Sequence, residues 1–108
     1  MDLDARLIEL RRQYVAQLPK KFSDIEALWR QLRTQDDPQQ RADLHRLTHS
    51  LAGSGATYGF PNISTAARHA EDILKPHSEA QGQPLPASQI EDALRSLGKV
   101  IGEAKSQG

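Results

Sequence analysis

Apolar residues return every three or four positions along almost the whole chain. Leu3, Leu7, Leu10, Tyr14 and Leu18 form a first stripe, and Phe22, Ile25, Leu28, Trp29 and Leu32 a second. Leu44, Leu47, Leu51 and Tyr58 form a third, and Ile63, Ala66, Ala67, Ala70, Ile73 and Leu74 a fourth. Ile90, Ala93, Leu94, Leu97, Val100, Ile101 and Ala104 form the last. This is the period of amphipathic helices. No stretch alternates apolar and polar positions with β-branched residues, so no strand is predicted.

The punctuation between stripes agrees. Pro19 suits the first turn of a second helix, with Ser23 and Glu26 as an alternative capping box for its start. Asp37 before Pro38 reads as an N-cap and first helical position. Gly59 then Pro61 reads as a stop and a new start, and Ser88 with Glu91 as a capping box for the last helix. Pro76 to Pro86 is the loosest segment and should be an exposed connection. These signals predict an all-α fold in one domain over residues 1–108. The expected architecture is an antiparallel four-helix bundle with an additional short N-terminal cap helix, five helices in all.

Composition narrows the function. Of 108 residues, 37% are hydrophobic and 26% charged, an ordinary globular balance. Lys+Arg and Asp+Glu are both 14, so the basic excess of a general nucleic-acid or acidic-membrane binder is missing. No window approaches the ~18 apolar residues of a membrane span. The start, Met1-Asp2-Leu3-Asp4-Ala5-Arg6, lacks the layout of a secretory signal, so a cytoplasmic location is expected. With no cysteine, disulfide frameworks, thiol catalysis and cysteine metal sites are excluded.

The third helix carries the candidate chemistry. Stepping ~100° per residue from Leu51, Leu44, Leu47, Gly55 and Tyr58 fall on the buried side, and His49 lands about 160° away. An exposed helix face is usually Lys, Glu, Arg and Gln. Here the neighbours of His49 are Ala42, Ala52, Gly53 and Ala56, with His45 and Arg46 one turn earlier. Gly53 follows His49 by four residues, so it is next along the same face. A mid-helix glycine costs about 1 kcal/mol relative to alanine. Close helix packing accounts for Gly55 on the inner stripe. Gly53 faces outward, where its missing side chain leaves the imidazole open to a bulky partner.

These residues resemble a known family. His49-Ser50-Leu51-Ala52-Gly53-Ser54, followed by Gly59-Phe60 and by Ala70-Glu71 on the next helix, is similar to the motif of histidine-containing phosphotransfer (HPt) domains. That motif runs His, any residue, Leu, Lys, Gly, then Ser or Ala. A glycine follows ten residues after the histidine, and an apolar–Glu pair lies on the next helix. The resemblance covers essentially the whole chain.

The resemblance implies a phosphorelay intermediate in two-component signal transduction. The exposed histidine takes a phosphoryl group from an aspartyl-phosphate on one receiver domain and passes it to an aspartate on another. By motif, His49 is the phosphorylated residue and Gly53 the access glycine. The implied partners are response-regulator receiver domains or a hybrid sensor kinase, with no nucleic acid and no membrane insertion, and the chain is expected to be a monomer. No intrinsic cofactor is implied, because the receiver supplies Mg²⁺ and the acidic pocket. Autonomous kinase or ATPase activity is not expected, and the sequence contains no phosphate-binding glycine loop. Imidazole suits the role, being a competent neutral nucleophile near pH 7.

The chain departs from the pattern at Ala52, where the family usually has lysine near the phosphoryl group. Thr48 and Ala70 are also less typical. Arg46 is the candidate substitute for the lysine, with Arg68, His69 and Glu71 as second-helix neighbours. Glu71 is read as a structural or solvent-facing partner rather than an acid–base catalyst. The alternative function is a non-catalytic helical module that docks receivers through the same face. A metal-binding bundle built on His45 and His49, with His69 or Glu71 as third ligand, is a further reading. Ser50, Ser54 and Thr57 lack the base and oxyanion hole of a hydrolase. Arg11, Arg12, Lys20 and Lys21 read as a solvated basic face.

Overall fold

A computed structural model describes residues 3–78 and 83–107. Four α-helices order the chain: α1 (Leu3–Thr34), α2 (Pro38–Thr57), α3 (Pro61–Leu74) and α4 (Ala87–Gln107), with a 3₁₀ turn at Lys75–His77 after α3. Among the described residues there is no strand. Each helix packs on its chain neighbours, and α1 closes the ring against α4. The links after α1 and after α2 are each only three residues, which forces antiparallel neighbours.

The five-helix expectation is corrected here. Pro19 does not start a new helix but lies inside α1, which runs unbroken for 32 residues. An internal proline forfeits one backbone hydrogen bond and costs ~3 kcal/mol. The helix continues because the two predicted stripes are one stripe in phase. Tyr14, Leu18, Ile25, Trp29 and Leu32 are all buried on one side of it. Burial of each such side chain contributes roughly 1.5–3 kcal/mol, so the row together outweighs the proline. Nor does a cap helix fold over the bundle end. Leu3, Leu7, Ile8 and Leu10 are exposed on an α1 that is longer than its partners.

The start of α2 follows its sequence signal. Asp37 is extended and accepts from the backbone N–H groups of Gln39 (2.8 Å) and Gln40 (3.0 Å). Gly53-Ser54-Gly55 stays helical. The helix ends at Gly59, with φ +81°, where Phe60 N–H donates to Gly55 C=O and Gly59 N–H to Ala56 C=O. That pair of bonds is the Schellman stop, and its left-handed residue favours glycine. Pro61 then opens α3. At the other end, α4 begins at Ala87, so Ser88 lies within its first turn and is not its cap. Of the connection expected over Pro76 to Pro86, residues 79–82 lie outside the described residues.

Leu18, Ile25, Leu44, Ile63, Ile90 and Leu97 form the centre of the core. Tyr14 locks α1 onto the end of α2. It stacks on Tyr58 and Phe60 (centroids 4.6 and 5.7 Å), and its hydroxyl shares a 2.8 Å hydrogen bond with Ser54. Burial pushes that phenol above its ordinary pKa. Arg11 remains exposed, as expected of a solvated face, but also lies 4.9 Å over the Phe60 ring and donates to Gly59 C=O. Arg12 and Lys20 pair locally with Glu9 and Asp24.

Candidate functional site

The site is built on the seam between α2 and α3. His45, Thr48, Ala52 and Gly55 recur at helical spacing along α2, and Ser64, Ala67 and Glu71 do so along α3. Apart from the ends, these residues are small, which lets the two backbones approach closely. A Cβ placed on Gly55 would meet the Ser64 backbone nitrogen at 2.9 Å, inside any tolerable contact. This confirms close approach as the reason for Gly55.

Close approach brings one carboxylate to two imidazoles. Glu71 Oε2 is bonded to His49 Nδ1 and lies 3.7 Å from His45 Nε2. The Glu71 side chain is only 13% exposed, whereas that of His49 is 71% exposed. A carboxylate can only accept, so Nδ1 of His49 carries the proton. Nε2 is then the lone-pair nitrogen, and it has no partner among the described residues. Glu71 is therefore not solvent-facing. The Ala70-Glu71 pair on α3 was the sequence signal for it.

Around His49 the α2 surface is low. Gly53 and Ala56 are exposed and Ala42 is half-buried. A Cβ on Gly53 would meet nothing within 4 Å, so no contact inside this chain requires glycine there.

Ala52 is corrected: it does not share the exposed face. It is 2% exposed and belongs to the core, because the flank of α2 that carries it is the flank α3 covers. His69 is also corrected as a neighbour of His49. It lies ~200° around α3 from Glu71, on the side turned away from the seam. Arg46 is exposed and paired with Asp43 at 3.1 Å. Arg68 is exposed, one turn before Glu71, and has no ion pair among the described residues. Since Gly55 faces Ser64 and His49 faces Glu71, antiparallel register sets Arg68 level with Ala52.

Among the described residues no group of three or more His, Cys, Asp or Glu is arranged to hold a metal ion. No helix among them is long and apolar enough to cross a membrane.

Comparison with known proteins gives one match. The family model described as the Hpt domain matches residues 9–103. No curated protein and no solved structure matches the chain.

Proposed function

Because the chain belongs to the Hpt domain family, whose members carry phosphoryl groups on histidine in two-component phosphorelays, we propose that His49 is the carrier here. The observation behind this assignment is an exposed imidazole whose Nδ1 is tied to a half-buried carboxylate, leaving Nε2 directed at solvent.

In the forward step a receiver docks on the face formed by α2 and the solvent side of α3. His49 Nε2 attacks the phosphorus of its aspartyl-phosphate in line. The N–P bond forms as the P–O bond to the aspartate breaks, and the carboxylate leaves. Positive charge builds on the ring and is met by Glu71 through the Nδ1–H bond. The reverse sequence delivers the group to a second receiver. Such transfers depend on positioning and charge neutralisation more than on covalent chemistry. The receiver brings Mg²⁺; this chain contributes no cofactor of its own. We read the chain as a monomer and its location as cytoplasmic.

Ala52 leaves the lysine function to other cations. Arg68 stands level with that position across the seam, with no ion pair among the described residues, and we read it as the main substitute. Arg46 is second, because an exposed pair such as Arg46–Asp43 is worth at most ~1 kcal/mol and opens easily.

The reading is tested by incubating the protein with a phosphorylated receiver and mapping any acid-labile phosphoryl group by mass. The expected result is one label, on His49. An unlabelled protein that still binds receivers would instead establish the docking module, the reading that Ala52 in place of lysine favours.

Gly53 allows a second test with opposite signs. Gly53→Gln should raise stability by about 0.5–1 kcal/mol, since glycine is a poor helix former and the site is open. The same side chain should stand beside His49 and cut transfer from a receiver by at least ~100-fold if docking is lost. Thermal melts and transfer rates on one preparation check both. A destabilised variant, or one with normal transfer, contradicts the access role.

A further inference from the structure

Glu71 faces two histidines, and the transfer reaction uses only one. His45 lies one turn before His49 on α2, its ring centroid 6.3 Å from that of His49 and tilted by 30°. Its side chain is 25% exposed, but Nε2 itself is buried and has no hydrogen-bond partner. A buried polar nitrogen left alone costs roughly 1–3 kcal/mol. The polar atom this nitrogen faces is Glu71 Oε2, at 3.7 Å: inside ion-pair range, just beyond hydrogen-bond range. A ring lone pair pointed at a carboxylate oxygen would repel it, so Nε2 of His45 carries hydrogen.

We propose that His45 is a positioning residue of the transfer site. Its Nε2–H, 3.7 Å from Glu71 Oε2, attracts the same carboxylate oxygen that His49 bonds, from one turn earlier on α2. Glu71 is a long side chain, and fixing it in one rotamer costs up to ~2 kcal/mol of entropy. One hydrogen bond to an exposed imidazole is a weak anchor for it. With His45 as a second attractive partner on α2, the carboxylate stays aimed at Nδ1–H of His49. Nε2 of His49 then remains the unprotonated nitrogen that attacks phosphorus. A ring that merely filled space at position 45 would not need a nitrogen directed at this oxygen. The inference rests on His49 as the phosphoryl carrier, and its test separates the two.

Two variants isolate the N–H from the volume. His45→Met keeps an apolar side chain of similar size without a donor, and His45→Gln restores a donor at similar reach. The first measurement is the tautomer of His49 in the unphosphorylated protein, read from ¹⁵N chemical shifts. The second is phosphoryl uptake from phosphoramidate, a small donor that needs no docking surface. Wild type should show His49 as the Nδ1–H tautomer. His45→Met should shift it toward the Nε2–H form and slow uptake about tenfold, as the loss of one orienting electrostatic contact predicts. His45→Gln should recover both. A wild-type tautomer and rate in His45→Met, or a Gln variant as impaired as the Met variant, would overturn the positioning role and leave only packing. Absence of label on wild-type His49 would instead remove the carrier assignment, whatever the tautomer shows.

Discussion

Glutamine in place of His49 should end phosphoryl uptake completely while leaving the fold intact. The side chain is 71% exposed and its one polar contact among the described residues is Glu71, to which a glutamine amide can still donate. Exposed substitutions of this kind usually change stability by no more than about 0.5 kcal/mol. Circular dichroism and the thermal midpoint should therefore match wild type, while the acid-labile label from a phosphorylated receiver disappears. No other histidine is placed to take over. His45 Nε2 is buried against Glu71, His69 lies on the far side of α3, and His77 sits in the 3₁₀ turn beyond α3 with its Nδ1 buried. Label retained in His49→Gln would mean that the acceptor lies elsewhere, and the transfer geometry described above would fall with it.

The largest loss of stability should come from Arg41, a residue remote from the chemistry. It is 5% exposed, and its guanidinium grips Asp36 with two nitrogens at 2.6 and 2.9 Å. It also donates to the carbonyls of His77 (3.2 Å) and Gln83 (2.6 Å). One side chain thus ties the α1–α2 link, the start of α2, the end of the 3₁₀ turn and the approach to α4. Arg41→Met keeps the stem but orphans these acceptors, at roughly 1–3 kcal/mol for each that water cannot reach. Asp36 is half exposed and can return to water, which caps the total at about 2–4 kcal/mol. For a domain of this size that lowers the thermal midpoint by ~10–25 °C. A midpoint within a few degrees of wild type would show that the clamp is dispensable.

The same clamp carries a pH signature. The Arg41 hydrogen bonds hold the Asp36 carboxyl below its ordinary pKa. A depressed folded-state pKa adds stability that is fully present above the unfolded value and is lost as pH falls toward the folded one. Wild type should therefore lose more stability than Arg41→Met on acidification below the ordinary carboxylate range. Parallel acid titrations of the two proteins would contradict this.

Much of the fold was legible in advance. The helical period, Asp37, the stop at Gly59 and the placement of His49 opposite Leu51 each depend on local geometry. Pro19 reads as a helix start on its own propensity, but the apolar stripe keeps its phase straight through it and α1 continues. The burial of Arg41 was not legible in the sequence, although it stands three residues before Leu44, in register with the buried side. Its charge argued for solvent, and only the carbonyls gathered around it explain its burial.

What the sequence alone determined is the angular position of each side chain about its own helix, since backbone geometry sets that within a few residues. It therefore placed His49 outward and Gly53 beside it. It did not determine which flank a neighbouring helix would cover, because that depends on contacts between residues far apart in the chain. Only the packing of α3 on α2 buried Ala52, turned His69 away, and brought Glu71 between His45 and His49. That packing is possible because Gly55 and the small residues of the seam let two backbones come close enough for one carboxylate to serve two rings.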